Sequence, residues 1–380
     1  LPLEQVEQLV RAGRPYVIRL RSGGSEEKKE IFTDLIKGKI EMPQNDEDFV
    51  LLKSDKIPTY HFAHAVDDHL MRTTHVIRGD EWISSVPKHL ELFHVLGFKA
   101  PKYAHVAPIM KTENGNKRKI SKRKDPEAAV RYFLEQGFEP QAVMEYLMTI
   151  ASADFEQWRR ANKSLPYSDF KFNIKKMSVS GALFDDAKLL DVSKNYISQM
   201  SSAAVTAAVT RWAEQFNPDY AALLKENESY TRSIFAIDRD VPKPRKDLAK
   251  WSDAPEFTTY FFEQTYTPCY TLPEQIDPAA AAKILTAFAK VYQEGDDKNA
   301  WFEKVKSICE PLGFCSSTKD YKANPGAFKG HVGDVSTVLR IAVTGRTNTP
   351  DLCAIMQTLG RSRTLSRLQQ AAEYYQKAQL

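Results

Sequence analysis

Three stretches decide how the chain is read: Thr74-His75-Val76-Ile77-Arg78-Gly79-Asp80-Glu81-Trp82, then Tyr103-Ala104-His105-Val106-Ala107-Pro108-Ile109, then Lys117-Arg118-Lys119-Ile120-Ser121-Lys122-Arg123-Lys124. The first opens as a β-branched strand, and the second reads as another. Between them Ser85 and Pro87 open a helix carrying Leu90, Phe93 and Leu96, which Gly97 stops. Strand, helix, strand is a βαβ unit, and its two strands run parallel. Loops that follow the carboxyl ends of such strands share one edge of the sheet, where ligands of open α/β sheets bind. Arg78–Trp82 and Lys111–Lys124 are therefore expected on one rim.

The third stretch holds six cations in eight residues. Such a run is either a solvated basic loop or a site for phosphate oxygens, which ammonium and guanidinium groups bind well. The Asp125-Pro126 that follows reads as an N-cap with proline at the first helical position. Arg78 ends a buried strand before a glycine, so its fork either grips a ligand carboxylate or pairs with Asp80 or Glu81. Trp82 either stacks on a ligand ring or plugs the sheet edge, and Tyr60 is either packed or a hydrogen-bonding phenol at the crevice.

Upstream, Phe62, Val66 and Leu70 mark an amphipathic helix. His61, His64, Asp67, Asp68, His69 and His75 crowd it without any diagnostic metal-binding spacing, so packed, hydrogen-bonded histidines are the expectation. Before residue 57, Pro15–Leu20, Ile31–Ile40 and Asp48–Leu52 read as separate extended elements, and no fold follows from them alone. Downstream the chain turns helical, with apolar faces at Val130, Phe133 and Leu134 and at Val143, Tyr146, Leu147 and Ile150. Residues 151–198 read as irregular, apart from a short helix around Leu189. Further helices are predicted near 203–216, 278–294, 300–310, 332–343, 350–359 and 364–378. The Pro- and charge-rich Asp238–Lys246 reads as a linker. The fold class is α/β followed by all-α.

Bulk composition agrees with a globular protein: 380 residues, 42% hydrophobic and 27% charged. A net charge of +4 does not by itself imply nucleic acid. No uncharged apolar run approaches the roughly 18 residues of a membrane span, and no secretory signal is visible, so no membrane role and a cytoplasmic location are expected. Cys269, Cys309, Cys315 and Cys353 form no Cys-x-x-Cys pair and read as reduced thiols.

Lys119-Ile120-Ser121-Lys122-Arg123 matches the KMSKS-type signature of class I aminoacyl-tRNA synthetases. Together with Pro58-Thr59-Tyr60, Val66–Met71 and Thr74–Trp82 it resembles the bacterial glutamyl-tRNA synthetases. The resemblance continues through Ser180–Leu183, Asp191–Lys194, Arg340–Gly345, Thr349–Leu352 and Leu359-Gly360. It implies the second half of a class I Rossmann-type catalytic domain plus helical stem-contact and helical anticodon-binding domains. The implied boundaries are 1–50 for the remainder of an inserted acceptor-binding subdomain, 51–125 for the Rossmann-type half, 126–198 for the stem-contact domain and 199–380 for the anticodon-binding domain. The family's His-Ile-Gly-His-type motif is absent from these residues. An amino-terminally truncated synthetase, inactive alone, is therefore the expectation.

The resemblance also implies roles. Tyr60, Arg78 and His64 (where many members have asparagine) would contact glutamate, with Arg78 on its side-chain carboxylate. Glu81, Trp82, Ile109, Met110 and Lys122 would border ATP. Lys119 and Lys122 would steady the phosphates with Mg2+ as the carboxylate attacks the α-phosphate. Arg340, Thr349 and Leu352 would meet the anticodon of tRNA(Glu), with Thr349 an N-cap before Pro350. A monomer is implied. The rival readings are a non-catalytic tRNA-binding module and a glutamine-specific or tRNA-independent relative; the helical carboxyl half argues against the latter pair.

Overall fold

Alternating burial and β-branched residues make the predicted strands, and the computed structural model, which describes residues 1–377, pairs them as the βαβ pattern requires. In chain order the first part runs through α1 (Leu3–Arg11), β1 (Ile18–Leu20), β2 (Lys29–Asp34), β3 (Gly38–Pro43), β4 (Phe49–Leu52) and α2 (Tyr60–Leu70). It continues through β5 (His75–Gly79), α3 (Val86–Val95), β6 (Lys102–Val106), β7 (Met110–Glu113) and β8 (Asn116–Lys119). β5 and β6 are parallel, with Arg78 opposite His105. β2 lies parallel on the other side of β6, and β3 returns antiparallel outside it, so the sheet order is β3-β2-β6-β5. The 29–43 segment, which no sequence pattern tied to the βαβ unit, thus belongs to the same sheet. β1 and β4 form a separate antiparallel pair, and β7 and β8 a hairpin.

The helix between β5 and β6 buries one face: Val86, His89, Leu92 and Phe93 lie inward at helical spacing. Leu92 and Phe93 pack with Phe49 and Ala65, while Val86 packs with Phe32 and Tyr103. Gly97 takes a φ of 70°, the left-handed conformation that ends the helix as predicted.

Beyond β8 the chain is helical. It forms α4 (Val130–Gln136), α5 (Pro140–Ala151), α6 (Ala153–Ala161), α7 (Asp186–Gln199), α8 (Ser202–Phe216), α9 (Pro218–Glu226) and α10 (Glu228–Ala236). It ends with α11 (Ala254–Thr258), α12 (Pro278–Val291), α13 (Lys298–Ser307), α14 (Thr318–Ala323), α15 (Val332–Thr344), α16 (Leu352–Leu359) and α17 (Arg361–Lys377). Among the described residues no strand follows Lys119, as the pattern predicts. The last residue of the helix expected over 364–378 lies outside the described residues.

The chain divides into two compact units: Leu1–Ala129 with Met144–Asp186, and Val130–Val143 with the residues from Ala187 on. The second has one continuous core. In it Ile284, Leu285 and Phe288 of α12 pack with Val335, Val338 and Leu339 of α15 and with Leu368 and Ala371 of α17.

Four expectations need correction. Residues 151–198 are not irregular: they hold α6 and the 14-residue α7. α6 carries Phe155 as its only buried residue, too weak a stripe to show as periodicity. Asp238–Lys246 is not a free linker. Arg239 is buried and donates to the Phe235 and Ile197 carbonyls, Asp238 accepts the Asp351 N–H, and Asp240 accepts the Ser202 N–H. Asp125 caps no helix, because its carboxylate is taken by Arg118 and the Ser121 N–H and only a short 3-10 turn (Pro126–Ala128) follows. Thr349 does not cap α16 either; Asp351 does, accepting the Ala354 N–H at 2.9 Å.

Candidate functional site

The candidate site is the rim formed where β5 and β6 end. β5 delivers Arg78 and then Gly79; the chain turns at once into a 3-10 helix (Asp80–Ser85) that carries Glu81 and Trp82. The two carboxylates offered as partners for Arg78 go elsewhere. Asp80 pairs with Lys37 at 3.0 Å, and Glu81 pairs with Lys119 at 3.2 Å. Among the described residues Arg78 has no carboxylate partner.

Its neighbours are instead neutral. The Arg78 Nε–H donates to His105 Nε2 at 3.0 Å, one terminal nitrogen meets His89 Nδ1 at 3.2 Å, and the other donates to the Trp82 carbonyl at 3.4 Å. The guanidinium lies over the Tyr103 ring, 4.9 Å from its centre, with Trp82 at 5.8 Å. His105 Nδ1 meets the fully buried Asp34 carboxylate at 2.7 Å, and His89 Nε2 meets His61 Nδ1 at 2.9 Å. His64 bonds the Asp68 carboxylate at 2.6 Å through Nδ1 and the Tyr103 hydroxyl at 3.2 Å through Nε2.

Burial and the Arg78 charge keep these rings neutral. Burial, then the neighbouring His64 and Arg78, press His89 down to about 2. Burial also lowers His105, more than its bond to Asp34 raises it. His64 falls for the same first reason, with Asp68 opposing, and His61 falls through burial, Lys88 and Arg78. Burial would raise Asp34, but N–H groups of Lys37, Ile36 and His105 and the His105 ring together hold it below the usual carboxylate range. Tyr103 is pushed up by burial.

Tyr60 stands at the mouth, 52% exposed, its ring stacked on Trp82 at 4.5 Å. Trp82 is thus neither a free stacking platform nor a plug; it is one leaf of an aromatic pair beside Arg78. The histidine crowd does not assemble into a metal site: among the described residues no three ligating groups converge. His69 stacks on Phe98 and His75 bonds Thr74, away from the other rings.

The basic stretch forms the second strand of the β7–β8 hairpin and the loop after it. Its charge is answered in part. Arg118 makes two 2.7 Å bonds to Asp125 and further bonds to Glu113, which raise the arginine and lower both acids. Lys111 pairs with Glu127, which raises it. Lys119 reaches Glu81, so the hairpin and the loop after β5 do meet, as the one-rim expectation requires. Lys117, Lys122, Arg123 and Lys124 are exposed. Ile109 and Met110 sit at the base of the hairpin, where the Ile109 carbonyl accepts the Ile120 N–H. Met110 bonds both ways with the 182–184 backbone. Gly181 permits that approach: a Cβ there would lie 2.6 Å from the Pro108 carbonyl oxygen. Sequence reasoning missed Lys37, Asp34, His89 and His105: nothing in the spacing links β2 to Arg78, and the βαβ pattern places α3 and β6 beside β5 without saying which of their side chains reach Arg78.

In the second unit one terminal nitrogen of Arg340 bonds the Thr349 hydroxyl and the Pro350 carbonyl, and burial lowers the guanidinium. No bond from its other two nitrogens is recorded among the described residues. Leu352, at the start of α16, is buried in the core of the second unit.

Residues 1–190 match the family described as tRNA synthetases class I (E and Q), catalytic domain, and residues 326–372 match the anticodon binding domain. The glutamate–tRNA ligase of Clostridium perfringens (strain 13 / Type A) is 45% identical over 369 residues, 96% of this chain and 68% of that protein. Its counterpart in Clostridium beijerinckii is 46% identical over 369 residues, 96% of this chain and 67% of that one. The crystal structure of a glutamate tRNA ligase from Elizabethkingia meningosepticum in complex with its amino acid matches in fold. Its TM-score is 0.70 at 24% identity, over 98% of this chain and 71% of that one. These matches run across nearly the whole chain and lend no support to the expectation that it is inactive. No helix among the described residues is long and apolar enough to cross a membrane. With a class I catalytic domain, a helical anticodon domain and relatives of this identity, the chain belongs to the glutamate–tRNA ligase family.

Proposed function

We propose that the rim of β5 and β6 binds the glutamate and the ATP of the family's reaction. One observation carries this reading: Arg78 is a half-buried guanidinium that no carboxylate of the described chain answers, while Asp80 and Glu81 beside it pair with Lys37 and Lys119. A ligand carboxylate answers it, and an amide would offer a donor where an acceptor is needed. Tyr60 borders the amino acid, and His64 acts through Tyr103, which it holds by the hydroxyl. Glu81, Trp82, Ile109 and Met110 border the nucleotide. Lys119 and Lys122 meet its phosphates, stabilising charge that grows as the glutamate carboxylate attacks the α-phosphate and pyrophosphate leaves. A Mg2+ ion would come with the nucleotide, on its phosphate oxygens; among the described residues no carboxylate cluster converges to hold one.

In the second unit Arg340 meets an anticodon base through the nitrogens that Thr349 and Pro350 leave free. Thr349 fixes its direction, and Leu352, buried at the start of α16, backs that surface. Residues 51–125, together with β2 and β3 of the same sheet, are assigned as the Rossmann-type part, the remainder of 1–50 as acceptor-side, and 126–198 and 199–380 as stem-contact and anticodon-binding parts of a monomer working in the cytoplasm.

ATP–pyrophosphate exchange with glutamate and tRNA, alongside tRNA footprinting, tests this. Exchange that is lost in Arg78→Ala and anticodon-arm protection that depends on Arg340 support it. Exchange indifferent to Arg78 refutes the amino-acid assignment, and protection indifferent to Arg340 refutes the anticodon assignment.

A further inference from the structure

We infer that Asp34, His105, His89 and His61 form a hydrogen-bond relay whose donors all point away from Arg78 and so position its guanidinium, making His89 and His105 positioning residues for recognition of an amino acid's distal carboxylate. The inference rests on the reading of Arg78 given above.

The direction of every bond follows from chemistry. A guanidinium only donates, and an ionised carboxylate only accepts. His105 Nδ1 faces the Asp34 carboxylate at 2.7 Å, so that nitrogen carries the proton. Nε2 of the same ring is then a lone pair, and it accepts the Arg78 Nε–H at 3.0 Å. On the far side the Arg78 terminal N–H points at His89 Nδ1 at 3.2 Å, so Nδ1 is a lone pair and Nε2 carries the proton. That proton is donated to His61 Nδ1 at 2.9 Å, which leaves the His61 proton on Nε2. Adding a proton to His105 or His89 would place N–H against N–H. The relay works in one protonation state and one set of tautomers.

The relay is anchored at its buried end. Asp34 and His105 are 1% and 0% exposed, and Asp34 also accepts the Ile36, Lys37 and His105 backbone N–H groups. His89 is likewise 0% exposed. Neither histidine is placed to touch a ligand; each can act only through Arg78. With His105, His89 and the Trp82 carbonyl as acceptors, three of the five guanidinium donors are fixed. One N–H on each terminal nitrogen remains, a pair matched to the two oxygens of a carboxylate.

Imidazole 15N–1H correlation spectra at pH 7 test the wild-type chain directly. The expected result is His105 as the Nδ1–H tautomer and His89 and His61 as Nε2–H tautomers; mixed or reversed tautomers overturn the relay. Calorimetric titration with L-glutamate then tests its consequence. His89→Asn sets an amide oxygen where Nδ1 stood, and His105→Gln sets one where Nε2 stood. Each should keep glutamate affinity within about threefold, whereas the crossed variants His89→Gln and His105→Asn should lose about tenfold or more. Equal effects of matched and crossed variants overturn the inference while Arg78→Ala still abolishes binding. Undiminished glutamate binding by Arg78→Ala, or none by the wild-type chain, overturns the reading of Arg78 instead, and the tautomers then judge the relay alone.

Discussion

The first unit holds its cations in two opposite ways. Around Arg78 one charge is enclosed by neutral rings, a buried carboxylate stands one histidine away, and the donors meet acceptors in a single direction. In the hairpin the charges stand in the open: Arg118 is clasped by acids, but Lys119 is 55% exposed on the side chain and Lys122 to Lys124 face solvent. The difference is one of preorganisation. A rigid guanidinium suits a small carboxylate whose two oxygens have fixed spacing. Mobile ammonium groups suit a triphosphate, whose oxygens change charge during reaction, and they add little to the fold.

The contrast breaks first at its buried end. Asp34→Ala would leave the His105 ring and three backbone N–H groups without their acceptor. A loss of about 3–5 kcal/mol from the urea unfolding of the first unit is expected. A loss under about 1 kcal/mol would mean that the pocket is no more preorganised than the hairpin. Arg78→Ala comes next: glutamate affinity should fall by about 2–4 kcal/mol, near 30- to 1000-fold, with tRNA affinity unchanged.

Acid sharpens the comparison. The folded chain holds His89 at about 2 against 6.5 for a free ring. Below pH 6.5 the unfolded state takes up a proton that the folded state refuses. Stability is therefore intact above that value and lost as pH falls, by up to about 1.4 kcal/mol per pH unit from this ring. Melting curves from pH 7 to pH 4 should show the first unit failing first; a flat melting temperature would contradict the enclosed-ring account. The smallest effect belongs to the hairpin. Lys122→Ala should leave stability within about 0.5 kcal/mol while weakening ATP binding in a salt-dependent way. A destabilised fold in that variant would show that the open charges are structural.

The βαβ unit was legible because its signals are local. β-branched runs, a proline-started helix and Gly97 at its end each act within a few residues. The Lys119-Ile120-Ser121-Lys122-Arg123 string is legible as a pattern, and parallel strands alone imply that it lies near Glu81, as the Lys119–Glu81 bond shows. Asp125 and Thr349 misled for the same local reason. Both precede a proline as a cap would, but Arg118 and Arg340 claim their oxygens across a turn. α6 went unseen because one buried phenylalanine makes no periodicity.

The sequence by itself determined the order of elements, the family and the identity of Arg78 as a strand-end cation, since those depend on neighbours along the chain. Only the tertiary structure decided what Arg78 touches. Its acceptors arrive from β6 and α3, and the carboxylate behind them arrives from β2, 71 residues before the histidine it bonds. Hydrogen-bond direction is set by atoms within about 3 Å of each other, and no periodicity in a linear chain encodes that distance.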